Sequence, residues 1–304
     1  MLLIFAGLAV VLGSIIGGYL LEQGNLWVLM QPAELIIIAG GSAGIILVSC
    51  PARNLRIFMR AVVSVCKPQN YTRETYLEAL KLLYVLFNLG RGTGKVSLES
   101  HVENPYESEV FQEYSGVLSD NEATDFICDS FRMAISAGLN EQEVERLMVL
   151  DMEVQRSGRQ QPLRVLTTVA DSLPGLGIVA AVLGVVVTMQ ALGGPAQEIG
   201  QKVAAALVGT FFGILLCYGV ASPLASRLES IGKGRTEYLQ VIRVAIAAFF
   251  RGSSPLVAAE SGRRSIPLDL RPSLEDMETE LRQQHIPRPN QSQAAGATEG
   301  SREE

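Results

Sequence analysis

Long apolar runs alternate with polar segments along this chain. Four of the runs are long enough to cross a bilayer as helices, because about 20 apolar residues span its hydrocarbon core. They predict transmembrane helices at residues 1–21, 32–50, 171–192 and 203–223. The pattern therefore predicts an all-α, polytopic membrane protein with four transmembrane helices.

The segment 52–168, between the second and third predicted spans, spaces its apolar residues with a helical period. Asn140 followed by Glu143 is typical of the capping box that opens a helix. Residues 224–266 predict a further amphipathic helical region. Residues 267–304 are polar and rich in Pro, Gln and Ser, a composition typical of a mobile tail. We therefore expect a helical cytoplasmic domain and a mobile C-terminal tail.

Basic residues predict the orientation of the spans, because cytoplasmic loops carry an excess of Lys and Arg. The two short loops, residues 22–31 and 193–202, together contain a single basic residue, Lys202. The segments that flank the other ends of the spans contain Arg53, Arg56, Arg60, Lys67, Arg156, Arg159, Arg164, Arg227, Lys233 and Arg235. We therefore expect both termini and the large middle segment to be cytoplasmic.

Composition disfavours several classes of function. The chain has 31 acidic and 25 basic residues, a net charge of −6 that does not favour nucleic acid. Its four cysteines and two histidines show no metal-ligand spacing, so we predict no metal site and no cofactor. The glycine-rich stretch at residues 90–94 is followed by Lys95 and Val96, not by the Ser or Thr of a phosphate-binding loop. We find no nucleophile–base pair either, and we predict that the protein is not an enzyme.

Ionisable residues are nearly absent from the predicted spans. Glu34 lies at the outer start of the second span and Asp171 at the inner start of the third, so neither is central in the bilayer. Ion transporters usually hold an ionisable or coordinating group inside the membrane. Either the chain moves no ions, or it forms half of a pathway in which a partner supplies the carboxylate.

Small residues recur at every fourth position of the fourth span, which places them on one helix face. These residues are Ala205, Gly209, Gly213, Cys217 and Ala221. Such a face allows the close approach of another helix. The dense stripes of the third and fourth spans favour a wall around a further helix, and ordinary packing within one monomer is the alternative.

Two prolines, Pro174 and Pro223, are expected at the same depth near the cytoplasm, because their helices run in opposite directions. Proline removes a backbone donor and permits a kink. The pair favours a hinge between membrane and cytoplasm. The alternative is that Pro174 opens the third helix behind Asp171 and Ser172, and that Pro223 ends the fourth.

Three segments together resemble the MotA family, the A subunits of the flagellar motor stator within the MotA/TolQ/ExbB superfamily. They are A-L-V-G-T-F-F-G-I-L from Ala206 with Pro223 after it, D-S-L-P-G-L-G-I-V-A-A-V-L-G-V-V from Asp171, and Q-P-A-E-L-I-I-I-A-G from Gln31. The motif Ser97-Leu98-Glu99 resembles the cytoplasmic part of that family. The resemblance extends to about Pro272, and the tail carries nothing recognisable.

The resemblance implies a homo-pentamer around two copies of a B subunit, in the bacterial inner membrane. A helix of each B subunit would carry the essential, proton-binding aspartate. The A ring would turn around the B dimer and push the rotor switch protein. By match, Pro174 and Pro223 correspond to coupling prolines, and Arg91 and Glu99 to a charged pair that engages the rotor. Without the resemblance, Arg91 and Glu99 would be interpreted as solvated surface charges.

The expected channel-lining residues are Ala181, Gly209, Thr210 and Gly213. Thr210 would line the ion path or bond back to its own helix carbonyl. In sodium-driven relatives a second threonine occupies the position that here matches Ala181, and a bare sodium ion needs several oxygen ligands. We therefore predict coupling to protons.

Two other functions stay open at this point. A TolQ/ExbB-like energiser of outer-membrane processes would have three spans, with its cytoplasmic domain between the first and second. A non-conducting membrane scaffold would also fit the small-residue faces and the lack of ionisable groups.

Overall fold

The computed structural model describes residues 2–66, 71–92, 95–136, 138–190, 193 and 195–285. Within these residues every regular element is a helix. The helices are α1 (Leu2–Leu21), α2 (Leu26–Leu29), α3 (Pro32–Ser49), α4 (Ala52–Val65), α5 (Arg73–Gly92), α6 (Lys95–Glu103), α7 (Glu109–Gln112), α8 (Ser115–Leu118), α9 (Asn121–Ser136), α10 (Glu141–Met189), α11 (Ala196–Leu216), α12 (Ser222–Phe250), α13 (Pro255–Ser265) and α14 (Leu274–Arg282).

The chain divides into two compact units. The first, called here the membrane unit, comprises residues 1–69 and 156–232, and the second, the globular unit, comprises residues 70–155 and 233–304. Four helical stretches are long and apolar enough to cross a membrane: Ile4–Leu21, Leu26–Ser49, part of Glu141–Met189 and part of Ala196–Phe250. The predicted all-α fold with four spans and a helical domain is confirmed.

The membrane unit buries little of its apolar surface within the chain. No residue of the first span, Ile4–Leu21, is buried. Ile36 is 72% exposed and Val48 is 91% exposed, as expected for side chains that meet lipid or other subunits. Its buried residues form two small clusters, one around Ile38 and Ala180 and one around Phe58. The helices of this unit are therefore held at small contacts and not around a large core.

The globular unit has a dense core of large side chains. Tyr76, Phe87, Phe111, Phe131 and Tyr238 are each at most 1% exposed. The rings of Phe87 and Phe249 stack with their centroids 4.5 Å apart. At the start of α10, the backbone N–H of Glu143 donates to Asn140 Oδ1 and the Asn140 N–H donates to Glu143 Oε2, both at 3.0 Å. The predicted capping box is confirmed.

A buried ion pair crosses the interior of the globular unit. The guanidinium of Arg235 is 8% exposed and donates to both carboxylate oxygens of Asp120, with Nη2 2.7 Å from Oδ1. It also donates to the Tyr71 hydroxyl at 3.0 Å, and Glu122 lies 3.2 Å away. Burial alone lowers the pKa of Arg235, but the hydrogen bonds to Asp120 outweigh it and hold the pKa above its usual value.

The region expected to be a mobile tail differs in its first part. Residues 274–282 form α14, and its Met277 and Leu281 are buried in the core of the globular unit. Ion pairs join Arg73 to Asp276 and Lys81 to Glu280. The segment is polar overall, but these two apolar residues are four positions apart and therefore lie on one face of the helix. Their burial is enough to hold this short helix against the core. Residues 286–304 of the expected tail lie outside the described residues.

Candidate functional site

The third and fourth spans meet at a seam of small residues on α10 and α11. A Cβ added at Gly213 would lie 2.6 Å from the carbonyl oxygen of Leu173 and 2.8 Å from the Cα of Gly177. A Cβ added at Gly177 would lie 2.7 Å from the carbonyl oxygen of Gly209. Real Cβ atoms essentially never come within 3.0 Å of such atoms. The two backbones are therefore in direct contact, which only glycine permits.

The same seam continues along both helices in antiparallel register. A Cβ at Gly209 would lie 2.9 Å from the Cβ of Ala180 and 3.2 Å from the backbone nitrogen of Ala181. One at Gly184 would lie 2.7 Å from the Cβ of Ala206. The contact thus pairs successive small residues of one span with those of the other.

This position of Gly209 and Gly213 differs from the expected channel-lining one. Both glycines are buried, and the face that they present is covered by the chain's own third span. A four-residue period gives the face of a helix but not the identity of its partner. For these two residues the structure corresponds to the alternative of packing within one monomer.

Thr210 and Ala181 lie beside the seam and are only half-buried. Among the described residues the Thr210 hydroxyl forms no hydrogen bond. The hydroxyl of Thr188, on the third span, instead donates to its own helix at Gly184, 2.8 Å away. One of the two interpretations of Thr210 was a hydrogen bond from its hydroxyl to a carbonyl of its own helix, and the structure does not show that bond among the described residues.

Glu34 is buried in the structure, whereas its position in the sequence predicts a place at the outer edge of the membrane. It is 7% exposed, and its Oε2 has no hydrogen-bond partner among the described residues. A Cβ at Gly209 would lie 3.3 Å from its Cγ, and one at Gly184 would lie 3.7 Å from its Oε1. Glu34 is in the first turn of α3, where the helix dipole favours negative charge. The only sequence signal was this acid in the first turn of an apolar span.

Both prolines lie within continuous helical structure. Pro174 is inside the 49-residue helix α10. Pro223 is the second residue of α12, which follows α11 through the π-helical turn Cys217–Ala221. In that turn the Ser222 N–H donates to the Cys217 carbonyl, five residues back. The alternatives of a first-turn proline and of a terminator are therefore both wrong.

Arg91 and Glu99 belong to consecutive helices of the globular unit. Arg91 is exposed near the end of α5, and Glu99 is half-buried in α6. A Cβ at Gly90 would lie 3.3 Å from both Leu98 Cδ2 and Phe249 Cζ, so the helix end beside Arg91 is closely packed. Neither charge forms an ion pair with another described residue. The structure thus places both charges on helices of the globular unit.

Comparisons with known proteins identify the family. The model described as motility protein A, N-terminal, matches residues 5–94, and the MotA/TolQ/ExbB proton channel family matches residues 119–240. Motility protein A of Salmonella typhimurium is 39% identical over 96% of this chain and 98% of its own length. The Escherichia coli protein of the same name is 40% identical over 92% of this chain and 95% of its own length. The chain belongs to the MotA family.

A solved structure titled as C. jejuni MotAB shares the fold of this chain, with a TM-score of 0.74 at 20% identity, covering 90% of this chain and 98% of the other. The resemblance seen in the sequence is therefore confirmed: the chain is a flagellar motor stator subunit of the MotA/TolQ/ExbB proton channel family, a multi-pass protein of the inner membrane. The channel-family match contains the seam and both prolines, and the N-terminal match contains Arg91. Glu99 lies between the two matched segments.

Proposed function

We propose that this stator subunit conducts protons together with a B subunit and converts proton flow into rotor torque. The observation that carries the proposal is the count of four spans, with the helical segment between the second and the third. A TolQ/ExbB-like energiser would have three. The other support is that Glu34, in the first turn of α3, is the one ionisable side chain buried in the described spans, so we expect a partner helix to supply the conducting carboxylate.

The proposed assembly is a homo-pentamer around two B subunits, each with a proton-binding aspartate. A solved relative titled as the flagellar MotAB stator complex from Bacillus subtilis has a TM-score of 0.71 and 19% identity to this chain, covering 88% of this chain and 97% of its own length. The outward apolar surface of the membrane unit leaves room for neighbouring subunits as well as lipid. Both termini are proposed to be cytoplasmic, on the basis of the loop charges.

Ala181 and Thr210 are proposed to line the ion path. Thr210 keeps a hydroxyl without a partner among the described residues, as a group that faces a pathway would. Gly209 and Gly213 shape the wall behind it by holding the third and fourth spans in contact. Ala181 supplies no oxygen ligand, so the wall suits a proton better than a sodium ion.

Pro174 and Pro223 are proposed to couple ion binding to movement. Each interrupts the backbone hydrogen bonds of a helix that continues on both sides. The π-helical turn before Pro223 is a local weak point of the same kind. Arg91 and Glu99 are proposed to engage charges on the rotor switch protein.

The experiment that tests this proposal is proton uptake by cells that co-express the chain with a cognate, unplugged B subunit. We expect acidification of the cytoplasm that a Thr210→Val variant reduces, since valine keeps the shape and removes the hydroxyl. In swimming cells, speed should fall with a protonophore and stay constant as sodium is varied. Absence of uptake with normal assembly would contradict conduction and favour the scaffold. A dependence of speed on sodium would overturn the choice of ion.

A further inference from the structure

Helix α4 begins almost directly at the end of a membrane span. The backbone N–H of Cys50 donates to Ile46 at the last turn of α3, and Pro51 then turns the chain into α4. Phe58 is 4% exposed and belongs to a buried cluster with Val165, Leu166 and Cys50. The first residues of α4 therefore lie at the membrane boundary, and its rotation about its own axis is fixed by packing.

The face of α4 that packing leaves open combines arginines with apolar side chains. Arg53, Arg56 and Arg60 are all exposed, and their spacing of three and four residues places them in one stripe. None of the three forms an ion pair or a hydrogen bond with another described residue. Beside the stripe, Ile57, Met59 and Val63 are 48%, 55% and 58% exposed. This arrangement, which we call the arginine face, is unsuited to water alone because of its apolar members.

The arginine face is positively charged and has no acidic residue near it in the sequence. Residues 35–65 contain three basic residues and no acidic one, although the whole chain has a net charge of −6. The basic residues are Arg53, Arg56 and Arg60. α4 itself contains no acid that could pair with the arginines. The local excess of positive charge is therefore available to an anionic partner.

We propose that the arginine face of α4 binds anionic phospholipids of the adjacent leaflet. The guanidinium groups would hold headgroup phosphates, to which they donate paired hydrogen bonds. Ile57, Met59 and Val63 would enter the boundary between headgroups and acyl chains, as in helices that lie in a membrane interface. Two observations select lipid over another protein: α4 follows a membrane span directly, and none of its three arginines pairs with an acid in the part of the chain that the structure describes.

This proposal does not depend on ion flow, so it can fail or hold separately from the function proposed above. Each arginine near an anionic surface strengthens association by roughly fivefold. The detergent-solubilised complex of this chain with its B subunit should therefore bind phosphatidylglycerol in preference to phosphatidylcholine. Native mass spectrometry during titration with each lipid measures the number bound and their affinity.

The variant Arg53→Gln/Arg56→Gln/Arg60→Gln should lose at least about tenfold in phosphatidylglycerol affinity. The matched control, Arg146→Gln/Arg264→Gln/Arg282→Gln, removes the same charge from exposed residues of the globular unit and should bind as the wild type does. The corresponding triple lysine variant should keep most of the preference, because it keeps the charge.

Equal binding of the two lipids by the wild type would overturn the proposal, even if the glutamine variant failed to assemble. So would unchanged phosphatidylglycerol affinity in that variant, or an equal loss in the control. A Met59→Cys variant that cross-links to another protein chain, without any lipid preference, would show that a protein covers this face.

Discussion

The membrane unit brings its helices together at glycines, whereas the globular unit brings them together around large aromatic side chains. At the seam, backbone atoms of α10 and α11 would lie within 3.0 Å of an added Cβ. In the globular unit, rings such as Phe87 and Phe249 stack at 4.5 Å. In the globular unit the hydrophobic effect favours the burial of apolar side chains away from water. In the membrane unit the surrounding lipid is as apolar as leucine, so the hydrophobic effect does not favour contact between the helices. We therefore expect the membrane unit to be destabilised most by substitutions that add atoms at its helix contacts. The globular unit should be destabilised most by substitutions that remove an interacting side chain.

The largest effect is expected from Gly213→Leu. The new side chain meets the backbone of Leu173 and Gly177, which cannot move aside as a flexible side chain would. We expect the folded state to be destabilised by more than about 3 kcal/mol. Most of the protein should then be missing from the membrane fraction. Immunoblots of membranes and co-purification with the B subunit measure both consequences.

Gly18→Leu provides the control for this seam. Gly18 lies on the first span, and an added Cβ there meets no atom of the described residues within 4 Å. Its variant should accumulate normally. Normal accumulation of Gly213→Leu as well would show that α10 and α11 are not in backbone contact.

An intermediate effect is expected from Asp120→Ala, which removes a partner from the buried guanidinium of Arg235. Breaking a buried ion pair costs about 3–5 kcal/mol, because the remaining charge is left without compensation. Glu122 still lies 3.2 Å from Arg235, so we expect the lower end of this range. The apparent unfolding temperature of the solubilised complex should fall by several degrees.

Asp129→Ala is the comparison for this pair, since Asp129 and its partner Arg132 are 68% and 39% exposed. An exposed pair contributes at most about 1 kcal/mol, so this variant should unfold close to the wild type. Equal destabilisation by the two substitutions would mean that burial does not distinguish the pairs.

The sequence predicted the elements better than their partners. Apolar length alone located the four spans, and the Asn140–Glu143 spacing located the start of α10. It could not show that Gly209 and Gly213 face the third span, because a helical period defines a face without defining what covers it. Pro174 and Pro223 follow no local rule for helix ends. α10 continues on both sides of Pro174, and a π-helical turn joins α11 to the helix that contains Pro223. Composition also did not predict α14, which buries only Met277 and Leu281 and is joined to α5 by the ion pairs of Arg73 and Lys81.

The smallest effect on folding, with a large effect on function, is expected from Arg91→Glu. Arg91 is exposed and has no ion-pair partner among the described residues, so its reversal should change stability by no more than about 0.5 kcal/mol. Membrane level and proton uptake should stay normal while most of the swimming speed is lost, because an attraction for the rotor becomes a repulsion. Arg146→Glu makes the same charge change at another exposed position of the globular unit and should swim normally. Partial recovery of Arg91→Glu by a reversed charge on the rotor protein would identify a direct contact, whereas loss of the variant from the membrane would assign Arg91 a structural role.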